Sequence, residues 1–457
     1  MTIEAALTEL AQLLGPRLSR SKSDLEHHGR SETYFPTTPP DAVAYPENTE
    51  DVQAIARICS KAHCPIIGWG TGTSLEGHAL AVQGGVTVDF SRMNKVLQVN
   101  AEDMDVIVQP GVTREALNQE LRATGLFFPV DPGANASLGG MAMTRASGTT
   151  AVRYGTMRDN VLGLEAVLAD GRIIRTGTRA RKSSSGFDLT GLLVGSEGTL
   201  ALVTELTLRL QGQPEKIAAA VCAYPDMETA VNTVIATIQM GIPMARIEFV
   251  DPNMARAFNS YAGAELPEAP HLLVEFHGSD EAVAGEVAKF RELSADMGGL
   301  GFEWAEKAED RTALWTMRHN AHYASMSLRP GARVLVTDIC VPISRLAEAV
   351  EETREDIAAM PFPGTILGHV GDGNFHAEIM FDETDATEVR LVKSFADRMV
   401  DRALRLEGTS TGEHGIGLGK LDFMAREHGE AWSVMGDIKR ALDPLNLMNP
   451  GKVVRIN

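Results

Sequence analysis

His369 and His376 stand seven residues apart in LGHVGDGNFHAEI (367–379), and the Gly-Asp-Gly between them is a turn able to bring two imidazoles together. A second glycine-flanked segment, STGEHGIGLGK (410–420), contributes Glu413. Two imidazole nitrogens and one carboxylate suit Zn²⁺ or Mn²⁺, and three protein ligands leave positions open for a substrate, as a catalytic metal requires. A His pair at this spacing also serves purely structural ends. Glycine on both sides favours the metal reading, because it keeps these residues on loops, where function concentrates. His414, next to Glu413, offers an acid–base group. Metal coordination lowers the pKa of an alcohol by several units, which brings its proton within reach of an imidazole of ordinary pKa about 6.5. The alternatives for His414 are a ligand role or a hydrogen-bonded place in the core.

Three further segments concentrate glycine: GWGTGTSLEG (68–77), DPGANASLGGMAMTRASGTTAVRYG (131–155) and GLLVGSEGTLALVT (191–204). A pyrophosphate is held by converging backbone N–H groups in conformations that a side chain would obstruct, and Ser or Thr hydroxyls add donors. Turns alone would explain any one segment; the three together point to a phosphate-bearing cofactor. No GxGxxG follows the first apolar strand, and GTGTSLEG lacks the Lys-Ser/Thr of a P-loop, so Rossmann and nucleoside triphosphate sites are disfavoured.

These residues need elements to position them. The 457-residue chain is longer than one core usually serves, and 44% hydrophobic with 23% charged residues leaves no segment compositionally disordered. Residues 1–35 read as an amphipathic helix followed by a polar stretch, closed by the Pro-rich FPTTPP at 35–40. Over 36–213, a helix at 48–63 feeds the apolar run PIIGWG, and strands follow at 84–90, 95–100 and 104–111. A helix comes next at 113–125, then a hairpin at 162–177 turning on Asp170-Gly171 and a strand at 198–210. From 214 to 425 longer helices alternate with isolated strands, as in an antiparallel sheet covered by helices, and 426–457 reads as a tail returning to the first domain. The fold class is α+β.

The net charge of −19 argues against nucleic acid and anionic membranes as partners, and it requires local cations wherever an anionic substrate is to bind. Cys59, Cys64, Cys222 and Cys340 form no metal or redox spacing. The N-terminus lacks the apolar core of a signal peptide, and no run of 18 apolar residues occurs, so the expected setting is cytoplasmic with no membrane span.

PIIGWGTGTSLEG, DPGANASLGGMAMTRASG with RYG, and GSEGTLALVTELTL together resemble flavoproteins of the vanillyl-alcohol oxidase and p-cresol methylhydroxylase type. Within that superfamily the chain is similar over nearly its whole length to FAD-linked D-2-hydroxy acid dehydrogenases of the D-lactate dehydrogenase (cytochrome) kind. The resemblance implies a PCMH-type FAD-binding domain with a cap domain. It implies that Gly70, Thr71, Gly72, Thr73 and Ser74 cradle phosphate. It sets Pro132, Gly133, Leu138, Gly139, Ala142, Ser147, Gly148 and Tyr154 against the flavin or its ribityl chain, and has Glu197, Gly198 and Val203 complete the pocket. Asn449 in the tail PLNLMNPGKV returns toward the flavin. His78 stands near the first loop, where some relatives attach FAD covalently; the members most similar to this chain bind it noncovalently.

In the second half the resemblance makes His369, His376 and Glu413 metal ligands, His414 the general base and Arg318 the partner of the substrate carboxylate, a role suited to a planar fork. Arg329 and Arg333 read as a second carboxylate or FAD contact, or as solvated surface arginines. His322 departs from the large aromatic residue that shapes the side-chain pocket of D-lactate enzymes, and a histidine there admits a polar or acidic side chain. The implied reaction is oxidation of a D-2-hydroxy acid such as D-lactate, with electrons passed to a cytochrome, a quinone or an electron-transfer flavoprotein. A D-2-hydroxyglutarate dehydrogenase and the flavin subunit of a glycolate-oxidase-like complex remain as alternatives, and a metal-dependent hydrolase is the reading without flavin. The oligomeric state, a homodimer included, stays open.

Overall fold

Asn48 accepts the amide of Asp51 (2.8 Å) and starts the helix Thr49–Ala62, whose buried stripe is Val52, Ile55, Ala56 and Cys59. Its end feeds the buried strand Ile66–Trp69, which lies parallel to Val86–Asp89; Ala42–Ala44 flanks that strand on the other side, and Leu18–Ser19 adds an antiparallel edge. A second sheet of five antiparallel strands runs in the order Val96–Asn100, Asp105–Val108, Ala201–Arg209, Val161–Leu168, Ile173–Gly177. The hairpin between its last two strands turns at Gly171, whose φ of +80° only glycine adopts readily.

The computed structural model describes residues 2–456 apart from 32, 34 and 306. They divide into two units, residues 1–147 with 155–213 and 413–457, and residues 148–154 with 214–412. The first unit holds the two sheets just described.

The second unit is built on an antiparallel sheet in the order Phe302–Ala305, Lys216–Ala223, His271–Gly278, Met244–Val250, Gly364–Gly368, Asn374–Phe381, Arg333–Val336, with Ile339–Cys340 also pairing with Asn374–Phe381. The helices Met227–Gln239, Leu346–Ala358 and Ala386–Arg405 pack their apolar stripes into one core with that sheet. The fold is α+β: a first unit with two sheets, and a second with an antiparallel sheet covered by helices.

The unit boundaries differ from those the sequence suggested. Residues 1–35 are no separate segment, because Ala6, Leu7, Leu10 and Leu14 share a core with Val52, Ile55 and Cys59. The second unit ends at 412 rather than 425: the Glu197 carboxylate accepts the amides of Ile416 (2.7 Å) and Gly417 (2.8 Å), which ties that stretch to the first unit. Residues 148–154 belong to the second unit, where Arg153 donates to Pro243 O (2.8 Å) and Tyr154 meets His277 (2.7 Å).

Candidate functional site

In the first unit, Gly70–Ser74 leave the strand Ile66–Trp69 as an irregular turn, and among the described residues their amides donate to no protein acceptor. A Cβ on Gly70 would lie 2.2 Å from Ser137 Oγ, and one on Gly139 would lie 2.5 Å from Pro110 Cβ, so the backbone comes close at these two glycines. Thr71 and Thr73 exchange a hydroxyl contact at 3.2 Å on this turn. A row of undonated amides beside hydroxyls is the donor set a pyrophosphate needs, and the segment fits that part of FAD.

Other residues assigned to the flavin have different surroundings. Leu138, Ala142 and Val203 point into the hydrophobic core of the first unit, which leaves only their backbone for a cofactor. Pro132, Gly133 and Gly198 lie on loops, and Gly133 and Gly198 have open space where a Cβ would stand. Ser147 is buried at the end of the first unit's opening stretch, and Gly148 opens the short insert of the second. The Tyr154 hydroxyl is held by His277 Nδ1, whose Nε2 meets Glu275 (2.8 Å), which also accepts Trp315 Nε1 (2.6 Å).

The carboxylate of Glu197 clamps the loop that follows His414 through the amides of Ile416 and Gly417. Burial raises its pKa, but the charge and contact of His78 at 3.4 Å, together with those two amides, bring it below the ordinary carboxylate value. Asn449 donates to the backbone oxygens of His78 (2.9 Å) and Glu197 (2.7 Å), and its own amide donates to Ile66 O (2.8 Å). The tail does return to the first unit, as a clamp on these loops.

Lys452 lies in the same cluster, fully buried, donating to Leu80 O and to Asn449 Oδ1 (2.8 Å). Burial, only partly offset by Glu197, lowers its pKa from 10.5 to about 7. Between that value and the unfolded value of about 10.4 the unfolded chain carries the proton and the folded chain does not, so stability rises with pH, by up to about 1.4 kcal/mol per unit. Urea melts between pH 7 and 9 should show this rise flattened in Lys452→Met; an unchanged slope would contradict it.

Of the predicted ligands, His369 and His376 lie in the second unit, and Glu413 opens the last stretch of the first. One ligand atom from each of His369, His376 and Glu413 lies within 4.8 Å of the others, and the two rings stand 5.7 Å apart at 86°. Gly-Asp-Gly acts as anticipated: His369 follows the strand Gly364–Gly368, residues 370–372 form one tight turn, Gly373 takes φ +79°, and His376 returns on Asn374–Phe381. His376 Nδ1 donates to Thr337 O (3.0 Å) and His369 Nδ1 to Glu248 Oε1 (2.8 Å). Both tautomers are thereby fixed with the lone pair on Nε2, the atom that binds a metal.

Glu413 follows Gly412, the last residue of the second unit, whose amide donates to Asp338 Oδ2 (2.9 Å). Asp338 also accepts Thr411 Oγ1 (2.6 Å) and Asn374 Nδ2 (2.8 Å), so one buried carboxylate ties the approach to Glu413 to the strand bearing His376. The donor set and its locked tautomers fit a divalent cation. His414, next along, is half-buried on the same loop.

Arg318 is buried near the end of the helix Ala308–His319, and its Nε (3.0 Å) and Nη2 (2.7 Å) both bind Glu248 Oε2. Glu248, Asp338 and Thr337 were not singled out in the sequence; their one signal was a polar residue inside an apolar run. His322 Nδ1 lies 3.1 Å from the buried carboxylate of Glu378. Burial raises the Glu378 pKa, but His322 and its neighbours hold it below the ordinary value. The position therefore presents a compensated pair rather than a spare cation. Arg329 is bidentate on Glu388 (2.6 and 3.0 Å) and Arg333 pairs with Glu383 (3.0 Å), which agrees with the surface alternative for both.

Residues 40–177 match the model of an FAD binding domain, and residues 213–453 that of the FAD linked oxidases, C-terminal domain. Over 435 residues the chain is 51% identical to the probable D-lactate dehydrogenase, mitochondrial, of Danio rerio, spanning 94% of this chain and 88% of that one. The chain belongs to the FAD-linked D-2-hydroxy acid dehydrogenases. Within this family it is 42% identical to the D-lactate dehydrogenase [cytochrome], mitochondrial, of Arabidopsis thaliana (98% of this chain, 80% of that one). It is 34% identical to the glycolate oxidase subunit GlcD of Bacillus subtilis (97% and 96%). A p-cresol methylhydroxylase crystal structure superposes with a TM-score of 0.80 at 17% identity, covering 98% of this chain and 96% of that one, and shares the fold. Membership in a flavoprotein family removes the hydrolase reading. Among the described residues no helix is long and apolar enough to cross a membrane.

Proposed function

We propose that this family member oxidises a D-2-hydroxy monocarboxylate, D-lactate first among them, to the 2-oxo acid. His369, His376 and Glu413 would hold a Zn²⁺ or Mn²⁺ ion, which would lower the pKa of the substrate hydroxyl as a Lewis acid, and bound FAD would supply the acceptor for the C2 hydride. Arg318 binds the substrate carboxylate through Nη1, the arm that Glu248 does not engage. His414 takes the hydroxyl proton on its imidazole. The observation that carries the reading is the convergence of three ligand atoms within 4.8 Å, with His369 and Arg318 sharing one buried carboxylate.

The pairing of His322 with Glu378 favours a monocarboxylate over 2-hydroxyglutarate, because a second substrate carboxylate would meet Glu378. The electron acceptor in this reading is a cytochrome, after the Arabidopsis relative's name, with a quinone or an electron-transfer flavoprotein as the other choices. The four cysteines are free, as a reducing compartment would keep them, which agrees with the cytoplasmic expectation drawn from the sequence; two of the relatives above are named mitochondrial.

The test is an anaerobic screen watching the yellow flavin band. D-lactate should bleach it; L-lactate, which cannot present its C2 hydrogen in the same orientation, should be far slower, and D-2-hydroxyglutarate should be at least about 100-fold slower, the scale of several kcal/mol for like charges brought together. Bleaching by D-2-hydroxyglutarate at the D-lactate rate would overturn the monocarboxylate reading. Protein that binds FAD but is bleached by no 2-hydroxy acid would point to the glycolate-oxidase-like subunit.

A further inference from the structure

One carboxylate in the second unit serves two functional side chains. Glu248 comes from the strand Met244–Val250 and is wholly buried. Its Oε2 accepts both Nε and Nη2 of Arg318, at 3.0 and 2.7 Å, while its Oε1 accepts Nδ1–H of His369 at 2.8 Å. The three residues lie far apart in the chain, and all are at least nine-tenths buried. Little solvent reaches the contacts among them, so their charges are weakly screened.

We propose that Glu248 is a positioning residue that makes the affinity of the metal site depend on the guanidinium of Arg318. The inference rests on the reading of His369 as a metal ligand. A carboxylate that accepts Nδ1–H makes the imidazole a stronger base at Nε2 and so a better ligand. A carboxylate that also neutralises a guanidinium has less charge to give to that hydrogen bond. Drawing Arg318 toward a substrate carboxylate returns charge to the Glu248–His369 pair and tightens the metal. By linkage, the bound metal then favours binding of the substrate carboxylate to the same degree.

The experiment measures zinc affinity of the FAD-loaded protein by competition with a chromophoric chelator, with no turnover required. Glu248→Gln should weaken zinc by about 10- to 100-fold, the range for losing an outer-shell partner of a ligating histidine. Arg318→Met should tighten zinc several-fold in the wild-type background and leave it unchanged in the Glu248→Gln background. Arg318→Lys, which keeps the charge, should stay near wild type, and it preserves the comparison with Arg318→Met if Glu248→Gln fails to fold, as FAD content would reveal.

Three results would overturn the proposal while leaving the metal site intact. They are a Glu248→Gln affinity within about twofold of wild type, an Arg318→Met protein that holds zinc no more tightly than wild type or Arg318→Lys, and an Arg318→Met shift of equal size in both backgrounds. Wild-type protein that binds zinc no better than His376→Ala would instead remove the metal reading, and the inference with it.

Discussion

Replacing His376 with alanine is expected to slow anaerobic flavin reduction by D-lactate by about 10³-fold or more while leaving FAD bound. In the proposed metal site His376 is one of three ligands, on a strand of the second unit, whereas the amides suited to the pyrophosphate lie at Gly70–Ser74 in the first. Without the proposed metal, His414 as the proposed base would have to take a proton from an ordinary alcohol. Each pKa unit of lost acidification amounts to 1.36 kcal/mol, about tenfold in rate if fully expressed, and metals lower such values by several units. Stopped-flow absorbance measures the rate and the visible spectrum of purified protein measures retained FAD. Wild-type rates in this variant would exclude the site.

Arg318→Leu is expected to lower kcat/KM for D-lactate by about 10² to 10³, mostly through KM, because the carboxylate is held alike in ground and transition states. The loss is large for two reasons. A charge-assisted hydrogen bond disappears, and Glu248, buried and deprived of its cation, then repels the incoming substrate. The same unpaired carboxylate should cost about 3 to 5 kcal/mol of stability, visible as a lower urea midpoint with an unchanged slope. Arg318→Lys should recover most of the stability and less of the KM, since Lys keeps the charge without the fork. A normal KM in Arg318→Leu would place the carboxylate elsewhere.

The parts of this design that were legible in the sequence are those written locally. Gly-Asp-Gly between His369 and His376 specifies a tight return in a few residues, and the glycines at 70 and 72 mark a turn whose backbone must stay bare. The helices at 48–63 and 113–125 followed from apolar residues at helical spacing. What the sequence concealed is partnership over long separations. Glu248 reaches His369 across 121 positions, and nothing around it distinguishes a functional carboxylate from any other polar residue in a strand.

Glu197 was assigned to the flavin from its place in GSEGTL, yet its carboxylate is used on Ile416 and Gly417, 219 and 220 residues onward. That same contact explains the misplaced boundary near 425. His322 shows the reverse case. Its identity reads as an opening to polar or acidic side chains, and its partner Glu378, 56 positions away, is what carries the proposed preference for a monocarboxylate.

Stripping the metal from FAD-loaded protein with a chelator and mixing it anaerobically with D-lactate tests the central claim most directly. The stripped protein should keep its yellow colour for many turnover times, and adding back Zn²⁺ or Mn²⁺ should restore bleaching, while His376→Ala should recover nothing. Bleaching of metal-free protein at the full rate would contradict the account.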